Sequence, residues 1–334
     1  MTSRERMLAA FEFSGPDRIP LVYHPSAAGL HVHGEKLMEL FEAYPPDHPV
    51  CFDGDAGPGP GTIGADGGYH EVREDEWGTA WEYLVFGIQG HPKRYPFENW
   101  DEAEAYAFPT AAIDRATLAA QREAYLVFGG WVSIFERMHG LRPIDELLMD
   151  IATEDAGFVR FLDRLVDHWQ AEIRELLDAG VDVIMFGDDW GTQTAPMISP
   201  ELFKRMYLPR YEKLMAPIRA AGRRIFFHSC GYPGQIMDAV VDLGVDGLWP
   251  QIKLIEADAA LMAKCRRRRV TMYIHPDRQE LIPKGSPREI DAAIKRYAET
   301  HHELGGGGIF YVEIENDAPF ENVAALIESV DRWR

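Results

Sequence analysis

Cysteine is scarce, with three in 334 residues. So small and odd a number cannot build a disulfide framework, and it points to a reducing compartment. Basic side chains are also few, 34 Lys and Arg against 54 Asp and Glu, for a net charge of −20. That balance argues against a nucleic-acid backbone or an anionic membrane surface as a partner. No run approaches the roughly 20 apolar residues of a membrane span. The N-terminus, Met1-Thr2-Ser3-Arg4-Glu5-Arg6, is charged where a signal peptide has its apolar core. The expected location is cytoplasmic. What the chain does have is 46% hydrophobic and 11% aromatic residues, enough to bury a sizeable core.

Short apolar runs alternate with long amphipathic stretches. The runs at Arg18–His24, Val50–Asp53, Tyr125–Gly129, Val181–Phe186, Arg224–Cys230, Gly247–Pro250, Val270–His275 and Ile309–Glu315 read as strands. Near-continuous apolar runs suit strands covered on both faces, as in a parallel sheet. Between them, Asp155–Leu177 carries a helical stripe closed by Gly180, and Ser199-Pro200-Glu201 has the cap, first-turn proline and acid of a helix start. The pattern predicts an α/β fold, a single (β/α)8 TIM barrel spanning residues 1–334. A doubly wound open sheet is the alternative. The segment 54–123, between the second and third strands, breaks the rhythm. It begins with the Gly/Pro-rich stretch Gly54–Gly68 and continues as a strand-like Tyr69–Tyr83, and it is expected as an elaboration over the barrel mouth.

In such a barrel the chemistry sits where the strands end. The polar residues at those ends are His24, Asp53 and Asp55, Asp188-Asp189-Trp190, His228 and Cys230, Gln251, His275, and Glu313 with Glu315. His228 and Cys230 lie two apart on one strand and so project together. Imidazole and thiolate are common zinc ligands, though a core histidine beside a small buried cysteine has the same spacing. A carboxylate from Glu313, with Glu315 as the alternative, would complete a metal site with one open position, which is the catalytic rather than the structural type. Asp188, Asp189 and His24 are candidate catalytic or substrate-orienting groups. Trp190, Asp55, Tyr232, Trp249 and His275 are candidates to line the substrate pocket. Gly59-Pro60-Gly61-Thr62-Ile63-Gly64 fits a dinucleotide fingerprint in letters only, since it holds a proline and leads into no helix.

Several stretches, taken in order, resemble the uroporphyrinogen decarboxylase superfamily over nearly the whole chain. They are Ser3–Ala10 leading to Pro16-Asp17-Arg18-Ile19-Pro20, then Asp75-Glu76-Trp77-Gly78, Asp188-Asp189-Trp190-Gly191 with Ile198–Phe203, His228-Ser229-Cys230-Gly231, and Pro319–Val323. The resemblance implies a (β/α)8 barrel. It also implies one of two chemistries. Decarboxylases of the superfamily hold substrate carboxylates on an N-terminal arginine-rich loop, and here the residues after Pro20, from Leu21 to Gly34, contain no arginine. The cobalamin-dependent methyltransferase branch carries zinc on a His-x-Cys pair plus a later cysteine. His228 and Cys230 match the pair, while Tyr311-Val312-Glu313-Ile314-Glu315 offers glutamate where the cysteine would fall.

These readings converge on one expectation. It is a zinc-dependent, corrinoid-linked methyltransferase that takes a methyl group from a methoxylated, aromatic small molecule. The acceptor would be cobalamin, free or on a corrinoid protein. The rivals are a uroporphyrinogen-type decarboxylase and a non-catalytic corrinoid- or ligand-binding relative.

Overall fold

The computed structural model describes residues 1–50 and 57–334. Its strands are β1 (Leu21–Pro25), β2 (Glu71–Glu74), β3 (Ala80–Tyr83), β4 (His91–Arg94), β5 (Phe128–Val132), β6 (Val183–Gly187), β7 (Arg224–Ser229), β8 (Gly247–Pro250), β9 (Thr271–Ile274) and β10 (Gly308–Ile314). A seven-stranded sheet runs in the order β1-β10-β9-β8-β7-β6-β5, and its pairings are parallel. The expected strand Val50–Asp53 falls largely on residues outside the described ones, as do Cys51 and Asp55.

The sheet is curled. Phe128 on β5 and Tyr273 on β9 have ring centroids 6.5 Å apart, with three strands between them in the sheet order. In a flat sheet, strands about 4.8 Å apart would separate them by about 19 Å. Alternate residues of each strand therefore face two different cores. On β7, Phe226 points inward to Met7, Phe11, Val22 and Tyr273, while Ile225 and Phe227 point outward to the helix layer. Burial on both faces is the reason the strands read as unbroken apolar runs. The helix Ser3–Glu12 closes the inside of the curl from the strand N-termini through Met7 and Phe11, which leaves the C-terminal ends for the site.

Two of the outer helices begin where cap residues satisfy free N–H groups. Asp155 accepts from Gly157 N and Phe158 N at the start of Ala156–Asp178, and Ser199 accepts from Leu202 N before Pro200–Met206. The stretch Tyr69–Tyr83, expected as one strand-like element, is a hairpin instead. Asp75 Oδ1 accepts from Trp77 N and Thr79 N, and Gly78 takes φ +77°, so the chain reverses there. β4 then adds a third antiparallel strand beside β3.

No helix among the described residues is long and apolar enough to cross a membrane.

Candidate functional site

The C-terminal ends of the parallel strands open into a cavity of about 720 Å³, walled on one side by the β2–β4 insert through Asp75, Trp81, Tyr83 and His91. Asp189, His228 and Cys230 meet on its floor, with one potential ligand atom from each lying within 4.8 Å of the others. His228 Nε2 is 3.5 Å from Cys230 Sγ and 3.3 Å from Asp189 Oδ1, and Cys230 N–H donates to Asp189 Oδ1 at 2.6 Å. Burial alone would push the His228 imidazole down, but Asp189 and Cys230 overcome it and hold it well above its ordinary value. Burial likewise works to raise the Asp189 carboxyl, and His228 with the Cys230 N–H outweighs it, so that carboxyl lies below its usual range. A carboxylate, an imidazole and a thiol thus converge on one point of the floor. Such a donor set suits zinc, which takes nitrogen, sulfur and oxygen ligands.

The strand phase explains why Asp189 and not Asp188 reaches the cavity. Past the end of β6, consecutive side chains go to opposite sides. Asp188 turns outward and is fully buried. It accepts from Ser133 Oγ, from the N–H groups of Ile134, Phe135 and Glu136, and from Tyr211 OH at 2.5 Å. Burial raises its carboxyl, and the Ile134, Tyr211, Glu136 and Ser133 donors oppose the rise. Asp188 is therefore the anchor of the loop after β5, which corrects the expectation that it meets substrate. Trp190 follows it outward. It is fully buried, stacks on Phe135 at 4.3 Å and donates its indole N–H to Tyr211 OH, and it is not among the residues that line the main cavity.

Two glycines hold the β6 and β7 loops together. A Cβ on Gly231, which has φ +73°, would lie 2.1 Å from Gly191 O, and one on Gly191 would lie 2.5 Å from Tyr232 N. Neither contact tolerates a side chain. Tyr232 donates its N–H to Thr192 O in this crossing and is not among the residues that line the cavity.

Glu313, expected as the third ligand, faces the same cavity from β10 but stands apart from the Asp189 group. Its Oε2 is 3.0 Å from His275 Nε2 and 3.2 Å from Arg278, at ion-pair distance but off the angle of a good hydrogen bond. Burial would raise its carboxyl. His275 and Arg278 instead bring it down to about 2. Trp249 donates its indole N–H to His275 Nδ1 at 3.3 Å, which leaves His275 Nε2 to carry a proton toward Glu313. Trp249 also lies 4.2 Å from the His228 ring, so both it and His275 line the cavity as expected from their strand ends. Glu315 and His24 line a separate cavity of about 420 Å³ beside Ser26 and Phe86, where burial raises the Glu315 carboxyl. Asp55 lies outside the described residues.

Sequence reasoning missed Trp131, Glu136 and His139, all of which line the main cavity, and Arg137 and Arg278, the scattered basic residues it offered to a decarboxylase, line it too. Ending a strand at Gly129 concealed the first three, because β5 runs on to Val132 across a register shift and carries Trp131 against His228. Glu136 is packed near Asp189 and Asp188. Burial first, and those two charges next, push it up to about 8.

A curled parallel sheet with an acid, a histidine and a cysteine at its C-terminal rim defines an α/β protein with a metal-capable barrel-end site. The uroporphyrinogen decarboxylase (URO-D) family model matches residues 103–333, and the chain belongs to that family. It is 26% identical over 189 residues to a uroporphyrinogen decarboxylase of Coxiella burnetii (strain Dugway 5J108-111), a match that covers 53% of this chain and 47% of the relative. The chain thus spans about half the length of the curated relatives it matches. Among solved structures it is similar in fold to a methyltransferase from Methanosarcina mazei, with TM-score 0.64, 18% identity and 99% of each chain covered.

Proposed function

We propose that the protein is a zinc-dependent methyltransferase that removes a methyl group from a methoxylated small molecule and passes it to a corrinoid, free or carried by a partner protein. The observation that supports this most is the meeting of Asp189, His228 and Cys230 on the cavity floor. In this reading these three hold the metal, and Asp189 takes the place expected of Glu313. A zinc ion there supplies a Lewis acid for an oxygen that gains charge as its methyl group leaves. Trp131 and Trp249, which both pack against His228 and touch each other, offer flat apolar walls to an aromatic ring and keep water from the reacting oxygen. Glu136, held protonated near neutrality, is placed to give a proton to the product oxygen. The closed eight-stranded barrel of the resemblance belongs to the same proposal.

Metal analysis of the purified protein tests this reading. About one zinc per chain is expected, removed by His228→Ala. A methyl-donor screen with a reduced corrinoid acceptor then tests the reaction. Metal-free protein that lacks methyl transfer but releases carbon dioxide from uroporphyrinogen would favour the second reading, a decarboxylase. That reading draws on two guanidinium groups, Arg137 and Arg278, in the cavity wall.

A further inference from the structure

A second cavity, of about 750 Å³, lies behind the first and shares Glu76, Trp131 and Arg137 with it. Its walls are mostly apolar. Trp77 and Trp169 form one side, and Ile113 with Leu118 forms the other. The helix that covers it, Arg115–Ala124, has no fully buried residue, whereas Ala156–Asp178 across the cavity buries six apolar side chains. An amphipathic helix gains its stability from the face it packs. Here Leu118 faces open space of the size that ordinary small-molecule ligands fill.

Arg137 stands in the dividing wall, and its side chain is only 22% exposed. Its guanidinium lies over the Trp77 ring at 4.2 Å. Among the described residues it makes no side-chain hydrogen bond, its Nε is buried without a partner, and its nearest carboxylate, Asp75, is 3.9 Å away. A buried guanidinium with unused donors is costly unless an acceptor arrives. The acceptor matched to its fork is a carboxylate. Glu76, Glu172 and Asp114 also face this cavity, Asp114 already accepting from Ala116 and Thr117, which disfavours a second negative charge on the ligand. A cationic ligand would meet the like charge of Arg137, which already occupies the Trp77 face.

We propose that this second cavity is a binding site for a planar, apolar monocarboxylate anchored by Arg137. The site does not depend on the metal reading, because none of the Asp189, His228 and Cys230 group lines it.

Calorimetry on the whole protein tests it with naphthoate, naphthalenemethanol and naphthylmethylamine, which share one ring system and differ in charge. Naphthoate is expected to bind below about 1 mM, and roughly ten- to a hundredfold tighter than the alcohol. Arg137→Gln is expected to erase that preference. Ala112→Trp, at an exposed wall position, is expected to block all three compounds. Zinc content is measured on the same samples and is expected to be equal in all of them, which separates failure here from failure of the metal site. The proposal is overturned by absent naphthoate binding, by amine binding as tight as that of the acid, or by binding that neither variant changes.

Discussion

Two carboxylate–histidine pairs face each other across the main cavity, and they are built for different work. On one side Asp189 meets His228 with a thiol beside them. On the other, Glu313 meets His275 with a guanidinium beside them and no thiol. The residue types are nearly the same. What differs is the third member, and it decides the chemistry. A thiol adds a second anionic donor that only a proton or a metal can balance. An arginine supplies a permanent positive charge that neutralises the acid and leaves no demand for a metal.

The largest expected effect tests whether the first group is the metal-binding one. His228→Ala and Cys230→Ser should each remove stoichiometric zinc, and Glu313→Gln should keep it. Atomic absorption on the three proteins checks this. Zinc lost from Glu313→Gln alone would reverse the comparison.

Next in size is the contrast between neighbours on one loop. Asp188→Ala strips an acceptor from five buried donors and should cost at least about 3 kcal/mol in denaturant unfolding. Asp189→Ala should change stability by about 1 kcal/mol or less while lowering zinc affinity, because its side chain is 35% exposed.

The Glu313 pair makes a pH prediction. Its folded-state pKa, about 2, lies below the usual 4.5, so its contribution is present above that usual value and is lost as pH falls toward about 2. Metal-free protein should lose up to about 3 kcal/mol across this window, and Glu313→Gln should lose less. Urea titrations at a series of pH values give the slope. Trp190→Phe removes one hydrogen bond to Tyr211 and should cost about 1 kcal/mol in thermal unfolding with zinc content unchanged.

The strands were largely legible because both their faces are buried, and a run such as Gly247–Pro250 coincides with β8 to the residue. The His-x-Cys pair was legible because it is local, two residues on one strand. Asp189 as its companion was not. It comes from the neighbouring strand, 41 residues earlier, and nothing in the sequence spacing distinguishes it from Asp188. That choice is one step of strand phase. Trp190 misled for the same reason, since an aromatic residue just past a strand end faces the cavity in one phase and the helix layer in the other. Trp131 was visible as a residue but not as a wall, because its position depends on how far β5 extends past Gly129.

The Gly191–Gly231 crossing separates two kinds of information. Where the donors stand is set by main chain pressed against main chain, with no room for a Cβ on either side. Which donors stand there is set by the side chains at 189, 228 and 230. A lineage could exchange the chemical identity of a ligand without redrawing the scaffold that presents it. Conversely, one methyl group added at 231 would force the two loops apart and scatter a site whose ligands were all intact.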